Sequence, residues 1–415
     1  MKVYRGLWVG RLLLFVTLIG FGISPVLAHE DEADHHHNDS YRIFLVTMYP
    51  GDELFTGFGH IAFRILNEEE GIDDVYDYGT YDYEDPALGW KFLIGTLKYY
   101  CSNTTYQQML DWYSEDFGGI LLQELNLTQE QAATLVARVR HDCLPENAAY
   151  KYHHFFNNCS TKLRDILDGF VDGQLGASTK ESLADRSLRD LIDASLSKWQ
   201  FAPTRWLVFG LLSYRIDGKA SRWEQMFLPW YLAHEVESLR QPHLPGEPPL
   251  VKSSEIVAGV RKGPPDTPGN LPGFVFLVVL FLLFYSPCLV LRRWPTLATR
   301  LAGILTSLAG VAAGSYGTLI AFSWAVSPYP ETKSNLTMLV LHPLHWLLVA
   351  TGVGIARRKP WAVLLTARYL FAGIFIAVAV TLASASGLLP QRIWHYGLAC
   401  AVVSLALMLS VRRTA

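Results

Sequence analysis

The sequence predicts a chain of two parts: an α+β soluble domain over residues 40–241 and an all-α membrane domain with five helices over residues 273–415. Strand-like alternation and helical apolar spacing are mixed in the first part. Five long apolar stretches follow a segment rich in Pro and Gly, and each is close to the ~20 residues that cross a bilayer. The chain of 415 residues has a net charge of -3 and no signature of nucleic-acid binding.

The N-terminal residues 1–28 have the pattern of a secretory signal peptide. A basic start precedes an apolar run over residues 12–23 and the small or branched ending Val26-Leu27-Ala28. An uncleaved signal anchor is the alternative interpretation. Both predict export to an oxidising compartment, where Cys101 and Cys143 are candidates for a disulfide.

Residues 29–39 form a His-rich tail that contains His35-His36-His37 and several carboxylates. Imidazole and carboxylate groups bind metals such as zinc, but this tract lacks the fixed spacing of a structural site. A solvated tail is the better interpretation. The sequence therefore predicts no metal site and no cofactor.

The soluble domain alternates between strand and helix patterns. Strands are predicted at residues 43–47, 74–83 and 92–100. A helix is predicted over residues 128–141, with Thr128 as N-cap and Gln131 at the capping-box position. Helical patterns predominate from residue 189 to residue 240.

The basic residues orient the membrane domain. Its five apolar stretches lie at about residues 274–291, 302–325, 336–355, 361–384 and 392–411. Arginines and lysines cluster in the segments that follow the first, third and fifth stretches. These basic segments are expected in the cytoplasm. The soluble domain and the Pro/Gly linker at residues 242–272 therefore lie outside. Such a linker predicts few contacts between the two domains.

Two short motifs carry the candidate chemistry. In Gly59-His60-Ile61-Ala62-Phe63-Arg64, alternation turns His60 away from the core face of a strand. Asn157 and Asn158 precede a helical run that begins at Cys159. Free amides at a helix start and a nearby imidazole both favour thiolate over thiol. The competing interpretation is a cysteine packed in the core and an ordinary surface histidine.

A papain-type thiol enzyme needs a thiolate, an imidazole that moves protons, a group that orients the imidazole, and donors for the oxyanion. His60 precedes Cys159, which reverses the ordinary papain order and matches circularly permuted members such as lecithin:retinol acyltransferase-like enzymes. Asp77, on the following strand, is predicted to orient the imidazole. The alternative for Asp77 is an acidic residue in a solvated hairpin.

The predicted oxyanion donors are the backbone amide of Cys159 and the side chain of Asn157 or Asn158. Helix capping is the alternative role of both asparagines. His153 and His154 compete for the role of base. They are so close to the cysteine in sequence that they cannot easily face it across a helix terminus.

Several blocks of the sequence resemble the Lnb N-terminal periplasmic domain of bacterial envelope proteins. They are the histidine motif at residues 58–64, the aromatic strand at 75–83, the cysteine motif at 152–165 and the closing motif at 226–232. The blocks keep the family's order over about residues 40–240. The later helices resemble the accompanying Lnb-type membrane domain, with a motif at Asn335 and His342-Pro343.

The resemblance implies a permuted papain-like fold, similar to lecithin:retinol acyltransferase and NlpC enzymes. It also implies an inner-membrane cysteine acyltransferase that adds an acyl chain to the N-terminal cysteine of lipoproteins, with phospholipids and lipoproteins as partners. Cys159 matches the family's nucleophile and His60 its base, whereas the family commonly has an amide in place of Asp77. The alternatives are a cysteine peptidase or amidase acting on cell-wall peptides and a non-enzymatic membrane sensor.

Overall fold

The structure is a computed structural model that describes residues 40–53, 56–113, 118–197, 202–259, 271–291 and 293–414. The predicted signal peptide and the His-rich tail lie outside these residues. The soluble and the helical parts belong to one compact unit, Asp39–Ala415.

An antiparallel sheet is the centre of the soluble domain. The described residues form the strands β1 (Arg42–Met48), β2 (His60–Asn67), β3 (Ile72–Thr80), β4 (Lys98–Thr105), β5 (Gly119–Leu125), β6 (Ala149–Lys151), β7 (Leu183–Ser187), β8 (Lys219–Ser221) and β9 (Val251–Gly259). Seven of them form one sheet in the order β6-β4-β3-β2-β1-β5-β9, and β7 pairs with β8 separately. Every neighbouring pair in the large sheet is antiparallel.

Helices cover the sheet and then form the C-terminal part. In the soluble domain they are α1 (Leu88–Leu93), α2 (Tyr106–Tyr113), α3 (Gln129–Asp142), α4 (Cys159–Phe170), α5 (Gln174–Thr179), α6 (Leu188–Ser195), α7 (Ala202–Leu211), α8 (Arg222–Gln225) and α9 (Pro229–Glu237). The C-terminal helices are α10 (Leu271–Val290), α11 (Pro295–Val326), α12 (Leu347–Ala356), α13 (Pro360–Ala385) and α14 (Trp394–Thr414). The predicted capping box between Thr128 and Gln131 is confirmed at the start of α3.

Both faces of the sheet are buried. Leu163 of α4 shares one core cluster with Ile61 and Phe63 of β2. Ala62, on the opposite face, shares a second cluster with Met109 of α2. The predicted division of the two faces of β2 is confirmed. The expectation that the imidazole escapes the core is wrong, because a second core lies on its face and only 12% of the His60 side chain is exposed. Alternation separates the two faces of a strand, but it does not reveal whether a second layer covers the outer one.

Two other predictions need correction. The run predicted as a strand at residues 92–100 divides into the end of α1 and the start of β4, with Gly95 at a φ of 66° between them. The predicted linker at residues 242–272 contains β9, which extends the sheet by pairing with β5. The many Pro and Gly residues around this strand made the whole segment look like a linker. The residues of β9 between them are suited to an edge strand. The disulfide between Cys101 and Cys143 is confirmed.

The soluble domain makes direct contacts with the loops between the C-terminal helices. Arg392 Nη1 donates to Asp190 Oδ1 at 2.7 Å. Asn335, which is 1% exposed, donates from Nδ2 to the carbonyl oxygen of Gly210 at 2.8 Å. The expectation of few contacts across the boundary is therefore wrong, because polar side chains in the loops bind backbone and carboxylate groups of the soluble domain.

The C-terminal part contains helices suited to a membrane. Among the described residues, three helices are long and apolar enough to cross it: Pro295–Val326, Pro360–Ala385 and Trp394–Arg413. The segments Pro330–Leu339 and Pro343–Ala356 make a fourth span if they count together, with a bend of 48° between them. The apolar helix Val275–Val290 is shorter than these. The five-span count stays a prediction.

A buried arginine holds the region that meets the membrane part. Arg189 Nε donates to Asp217 Oδ1 at 2.6 Å, and both side chains are 4% exposed. The same guanidinium donates to the carbonyl oxygens of Phe209, Leu212 and Ser213. These contacts join α6 to the end of α7.

Replacing this arginine tests its importance for stability. We expect Arg189→Met to lower the free energy of unfolding by about 3 kcal/mol, because it leaves buried acceptors without a donor. Lys219→Met is the matched control, since Lys219 meets Asp185 only at the surface with 62% of its side chain exposed; its cost should stay below about 1 kcal/mol. Thermal unfolding of the full chain measures both. Equal melting temperatures for the two variants would contradict the role of Arg189.

Candidate active site

Cys159 is the first residue of α4, and Asn158 caps that helix. The side chain of Asn158 accepts a hydrogen bond from Thr161 N at 2.9 Å, and Asn158 N donates to Thr161 Oγ1 at 2.8 Å. The side-chain nitrogen Nδ2 of Asn158 donates to the carbonyl oxygen of His154 at 2.8 Å and to that of Phe227 at 2.9 Å. Both amide hydrogens of Asn158 are thus engaged, and the residue fixes the position of the thiol.

Asn157 stabilises the turn before the helix. Its Nδ2 donates to the carbonyl oxygen of Lys151 at 2.7 Å. Its backbone pairs with His153 in an isolated antiparallel bridge. The two predicted oxyanion residues therefore lie beside the thiol, with side chains bonded to backbone carbonyl groups.

His60 is the imidazole that the structure brings to the thiol. It is the first residue of β2, and it lies near enough to Cys159 for the charge of that residue to raise its pKa. Its Nε2 lies 3.5 Å from Asp77 Oδ1, and both side chains are 12% exposed. Gly59, just before it, has a φ of 70°, and a Cβ there would lie 2.7 Å from the Met48 carbonyl oxygen. Glycine is therefore needed for the turn that leads into the histidine.

Hydrogen bonds hold Asp77 as a carboxylate. It lies on β3 and pairs with Ala62 of β2. Ala62 is two residues after His60 on the same strand. Its Oδ1 accepts from Gly79 N at 2.7 Å, and its Oδ2 accepts from Ser102 Oγ at 3.1 Å. The predicted three residues are thus arranged in series, Cys159 to His60 to Asp77.

A β-bulge makes room for the imidazole. The pairing of β3 with β4 changes register between Asp77 and Thr80. A Cβ built on Gly79 would overlap His60 Cε1 and lie 3.0 Å from its Nδ1. A bulge re-aims side chains next to it. The absence of a side chain at Gly79 therefore lets the imidazole lie against the strand beside Asp77.

The groups around His60 and Asp77 favour the charged forms of both. Burial opposes protonation of His60, but the negative charge of Cys159 and the hydrogen bonds to Asp77 and Cys159 outweigh it, so the pKa of His60 lies well above 6.5. Burial also opposes ionisation of Asp77, but the interaction with His60 and the donors Gly79 and Ser102 hold its pKa below 3.8. A protonated imidazole beside the Asp77 carboxylate is the arrangement that results.

Buried tyrosines lie near the thiol. Burial, together with the negative charge of Cys159, raises the pKa of Tyr99, Tyr150 and Tyr152. The rings of Tyr99 and Tyr152 have centroids 4.0 Å apart, and Tyr81 stacks on Tyr99 at 4.8 Å. Tyr81, Tyr99, Tyr150 and Tyr152 form a tyrosine cluster. The sequence shows them only as aromatic blocks that also suit a core, so their position around a thiol was not predicted.

The two competing histidines have other partners. His153 Nε2 lies 3.6 Å from Glu331 Oε2, and His154 Nδ1 lies 3.1 Å from the Tyr152 hydroxyl oxygen. Burial, with the nearby charge of Lys151 or of His153 itself, lowers the pKa of each to about 4. Both are therefore neutral imidazoles, and His153 lies where the soluble domain meets a membrane-domain loop. In the described parts of the chain, no group of three or more His, Cys, Asp or Glu is arranged to hold a metal ion.

The site is connected to the membrane part by aromatic contacts. The Tyr329 hydroxyl donates to the carbonyl oxygen of Tyr152 at 3.1 Å. The ring of Phe92 of α1 is close to both, with centroid distances of 6.2 Å to Tyr152 and 5.9 Å to Tyr329. Trp90, also on α1, is 53% exposed and stacks on Phe322 of α11 at 5.1 Å. An aromatic surface therefore extends from the neighbours of the thiol to a membrane-spanning helix.

Two family models match the chain. The Lnb N-terminal periplasmic domain matches residues 31–193, which include all the candidate site residues, and the Lnb transmembrane domain matches residues 268–415. Searches of curated proteins and of solved structures found no match. Because the two domains occur in the family's order and together cover more than half of the sequence, the chain belongs to the Lnb family of membrane proteins with a periplasmic N-terminal domain.

Proposed function

We propose that this protein is a thiol acyltransferase of the bacterial inner membrane that N-acylates the N-terminal cysteine of lipoproteins. The observation that carries the proposal is the series Cys159, His60 and Asp77 at a helix start, in a domain attached to membrane helices. Membership of the Lnb family also suggests an acyltransferase. Cys159 is the nucleophile, His60 exchanges protons with the substrates, and Asp77 orients the imidazole.

The first half-reaction loads the enzyme. The Cys159 thiolate attacks an ester carbonyl of a phospholipid, a carbon–sulfur bond forms and the ester carbon–oxygen bond breaks. The imidazolium of His60 protonates the leaving alkoxide. A thioester and a lysophospholipid result.

The second half-reaction transfers the acyl chain. The amine of the lipoprotein cysteine attacks the thioester, and His60, now neutral, takes the amine proton. An amide bond forms, the carbon–sulfur bond breaks and Cys159 leaves as a thiolate. The enzyme returns to its thiolate–imidazolium state without any other reactant.

The oxyanion donor in both steps is the backbone amide of Cys159. The first amides of a helix have no intrahelical acceptor, and that of Thr161 is already bonded to Asn158. The amide of the nucleophile therefore remains available beside the reacting carbon. Asn157 and Asn158 act as positioning residues, because their side-chain amides are bonded to backbone carbonyl groups.

The surroundings of the site favour a lipid over a soluble peptide as substrate. The tyrosine cluster continues through Phe92 and Trp90 to Phe322 of α11. Large exposed aromatic rings are favourable where apolar and aqueous phases meet. An acyl chain can follow this surface from the bilayer to Cys159, whereas a cell-wall peptide gains little from it.

We extend the proposal to the fold and the topology. A helix that begins with the nucleophile and packs on an antiparallel sheet carrying the base suits the permuted papain-like arrangement. Counting α10 and the bent pair as spans gives five crossings. The positive residues then put the C-terminus in the cytoplasm and the site on the periplasmic side.

An acyl-enzyme adduct is the direct test of the function. Incubating the full-length protein with a diacyl phospholipid should increase its intact mass by one acyl chain, and hydroxylamine should remove this mass. Cys159→Ala should show no adduct and no transfer to a diacylglyceryl-cysteine peptide. Cys288→Ala is the matched control, because this thiol contacts Ser410 within the membrane helices and should behave as wild type. Free fatty acid without an adduct would instead support the hydrolase alternative, and an unreactive Cys159 the sensor.

Gly79 tests the geometry of the imidazole. Gly79→Ala should lower the rate of adduct formation about 100-fold, because the new Cβ displaces His60 from its place. Gly169→Ala on α4 is the control, since nothing lies within 4 Å of a Cβ there. Melting temperatures of both variants should remain near wild type. A Gly79→Ala enzyme as fast as the control would mean that the imidazole position is not critical.

Asp77 tests the electrostatics. Asp77→Asn keeps a group that can orient the imidazole but removes the negative charge that helps raise the pKa of His60. The pKa of His60 should therefore fall, and the alkaline limb of the pH–rate profile, where imidazolium is lost, should move to lower pH. His60→Ala should reduce activity as much as Cys159→Ala does. An alkaline limb unchanged in Asp77→Asn would exclude this carboxylate as the partner of the imidazole.

A further inference from the structure

A large cavity lies within the membrane part, apart from the residues of the candidate active site. Its volume is about 510 Å³, which is within the ~300–1,000 Å³ range of ligand sites. Side chains of α10, α11, α13 and α14 line it, among them Phe284, Ala313, Leu370 and Leu407. Trp206 and Leu207 of α7, from the soluble domain, also contribute to its wall. The lining is almost entirely apolar.

The break between the two segments of the bent pair borders this cavity. Residues 340–342 separate the two halves of the bent pair. The carbonyl oxygen of Val340, freed by the break, accepts from His345 Nε2 at 2.9 Å. A Cβ on Gly317 of α11 would lie 2.6 Å from His342 Cα, so only glycine allows this close approach. Irregular backbone at membrane depth occurs where it is packed in protein or lines a cavity.

The break brings polar side chains to the cavity wall. The ring of His342 stacks on that of His345, with centroids 4.3 Å apart and an interplanar angle of 8°. His345 Nδ1 lies 3.0 Å from the Tyr369 hydroxyl oxygen, so both nitrogens of His345 have partners. His342 Nδ1 is buried and has no hydrogen-bond partner among the residues that the structure describes. A buried polar atom without a hydrogen-bond partner lowers the stability of the fold. An ionisable residue inside a membrane domain commonly marks a binding site.

We propose that this cavity binds one acyl chain of a membrane phospholipid, with His342 Nδ1 donating a hydrogen bond to the ester carbonyl of that chain. An apolar lining at membrane depth suits a hydrocarbon chain, and a single unsatisfied nitrogen at its wall suits the one polar group attached to the chain. Phospholipid is the occupant because it surrounds these helices in the bilayer. Binding does not require Cys159, whereas use of the bound lipid as acyl donor rests on the proposed function.

A photoactivatable phospholipid with a diazirine in its acyl chain tests the proposal. The full-length protein in lipid nanodiscs should be labelled on lining peptides of α13 and α14, and Cys159→Ala should be labelled equally. This equality separates lipid binding from the proposed chemistry. Labels spread evenly over the outer surface of the helices would overturn the proposal.

Two variants sharpen the test. Ala313→Phe fills the cavity, and Ala325→Phe is its control, because Ala325 lies exposed on the same helix and does not line the cavity. Ala313→Phe should lower labelling of the lining peptides at least fivefold, and the control should leave it unchanged. His342→Phe keeps a ring but removes the nitrogen, and should weaken binding about tenfold. Unchanged labelling in His342→Phe, or displacement of the probe by a diacylglyceryl-cysteine peptide and not by unlabelled phospholipid, would contradict the proposal.

Discussion

The electrostatic interaction between Cys159 and His60 is the one on which the rest of the candidate site depends. It joins two elements that are about a hundred residues apart in sequence, a helix start and a strand start. Each partner is fixed by its own backbone device: the capping box of Asn158 and Thr161 for the cysteine, and the turn at Gly59 for the histidine. The buried Asp77 carboxylate then stabilises the charge that the imidazole carries.

The sequence predicted the residues of this series but not how the fold accommodates them. Alternation indicated the strand that carries His60, and the step to the next strand indicated Asp77. The β-bulge and the need for glycine at position 79 arise from pairing between β3 and β4, which a single strand pattern does not contain. The side-chain amides of Asn157 and Asn158 bond to carbonyl groups that only the folded chain brings near.

Local sequence patterns indicated the order of the two domains, but they did not predict the contacts between the domains. A composition rich in Pro and Gly indicated a boundary near residues 242–272, yet β9 within it completes the sheet by pairing with a strand far away in sequence. The connection between the domains depends on buried loop residues such as Asn335 and on Arg392. Their partners come from α6 and α7, so sequence spacing gave no signal for them.

The connection of the candidate site to the membrane part is the feature that favours acyl transfer over hydrolysis in the proposed function. A thiol held at a helix start can serve hydrolysis as well as transfer. In the proposed function, acyl chains are held outside the polar site by an aromatic surface that reaches α11 and by a cavity shared by α7 and the membrane helices. The contacts between the soluble domain and the loops of the helices hold Cys159 in a fixed position relative to the membrane part.

The central claim, that His60 activates the Cys159 thiol, is tested most directly by the rate of Cys159 alkylation by iodoacetamide as a function of pH. Peptide mapping identifies the labelled thiol, and His60→Ala provides the comparison. The account predicts that wild-type Cys159 reacts at mildly acidic pH, and that in His60→Ala it reacts only near the alkaline pH of an ordinary thiol. Identical pH profiles for the two proteins, or a wild-type thiol that is unreactive below about pH 8, would contradict it.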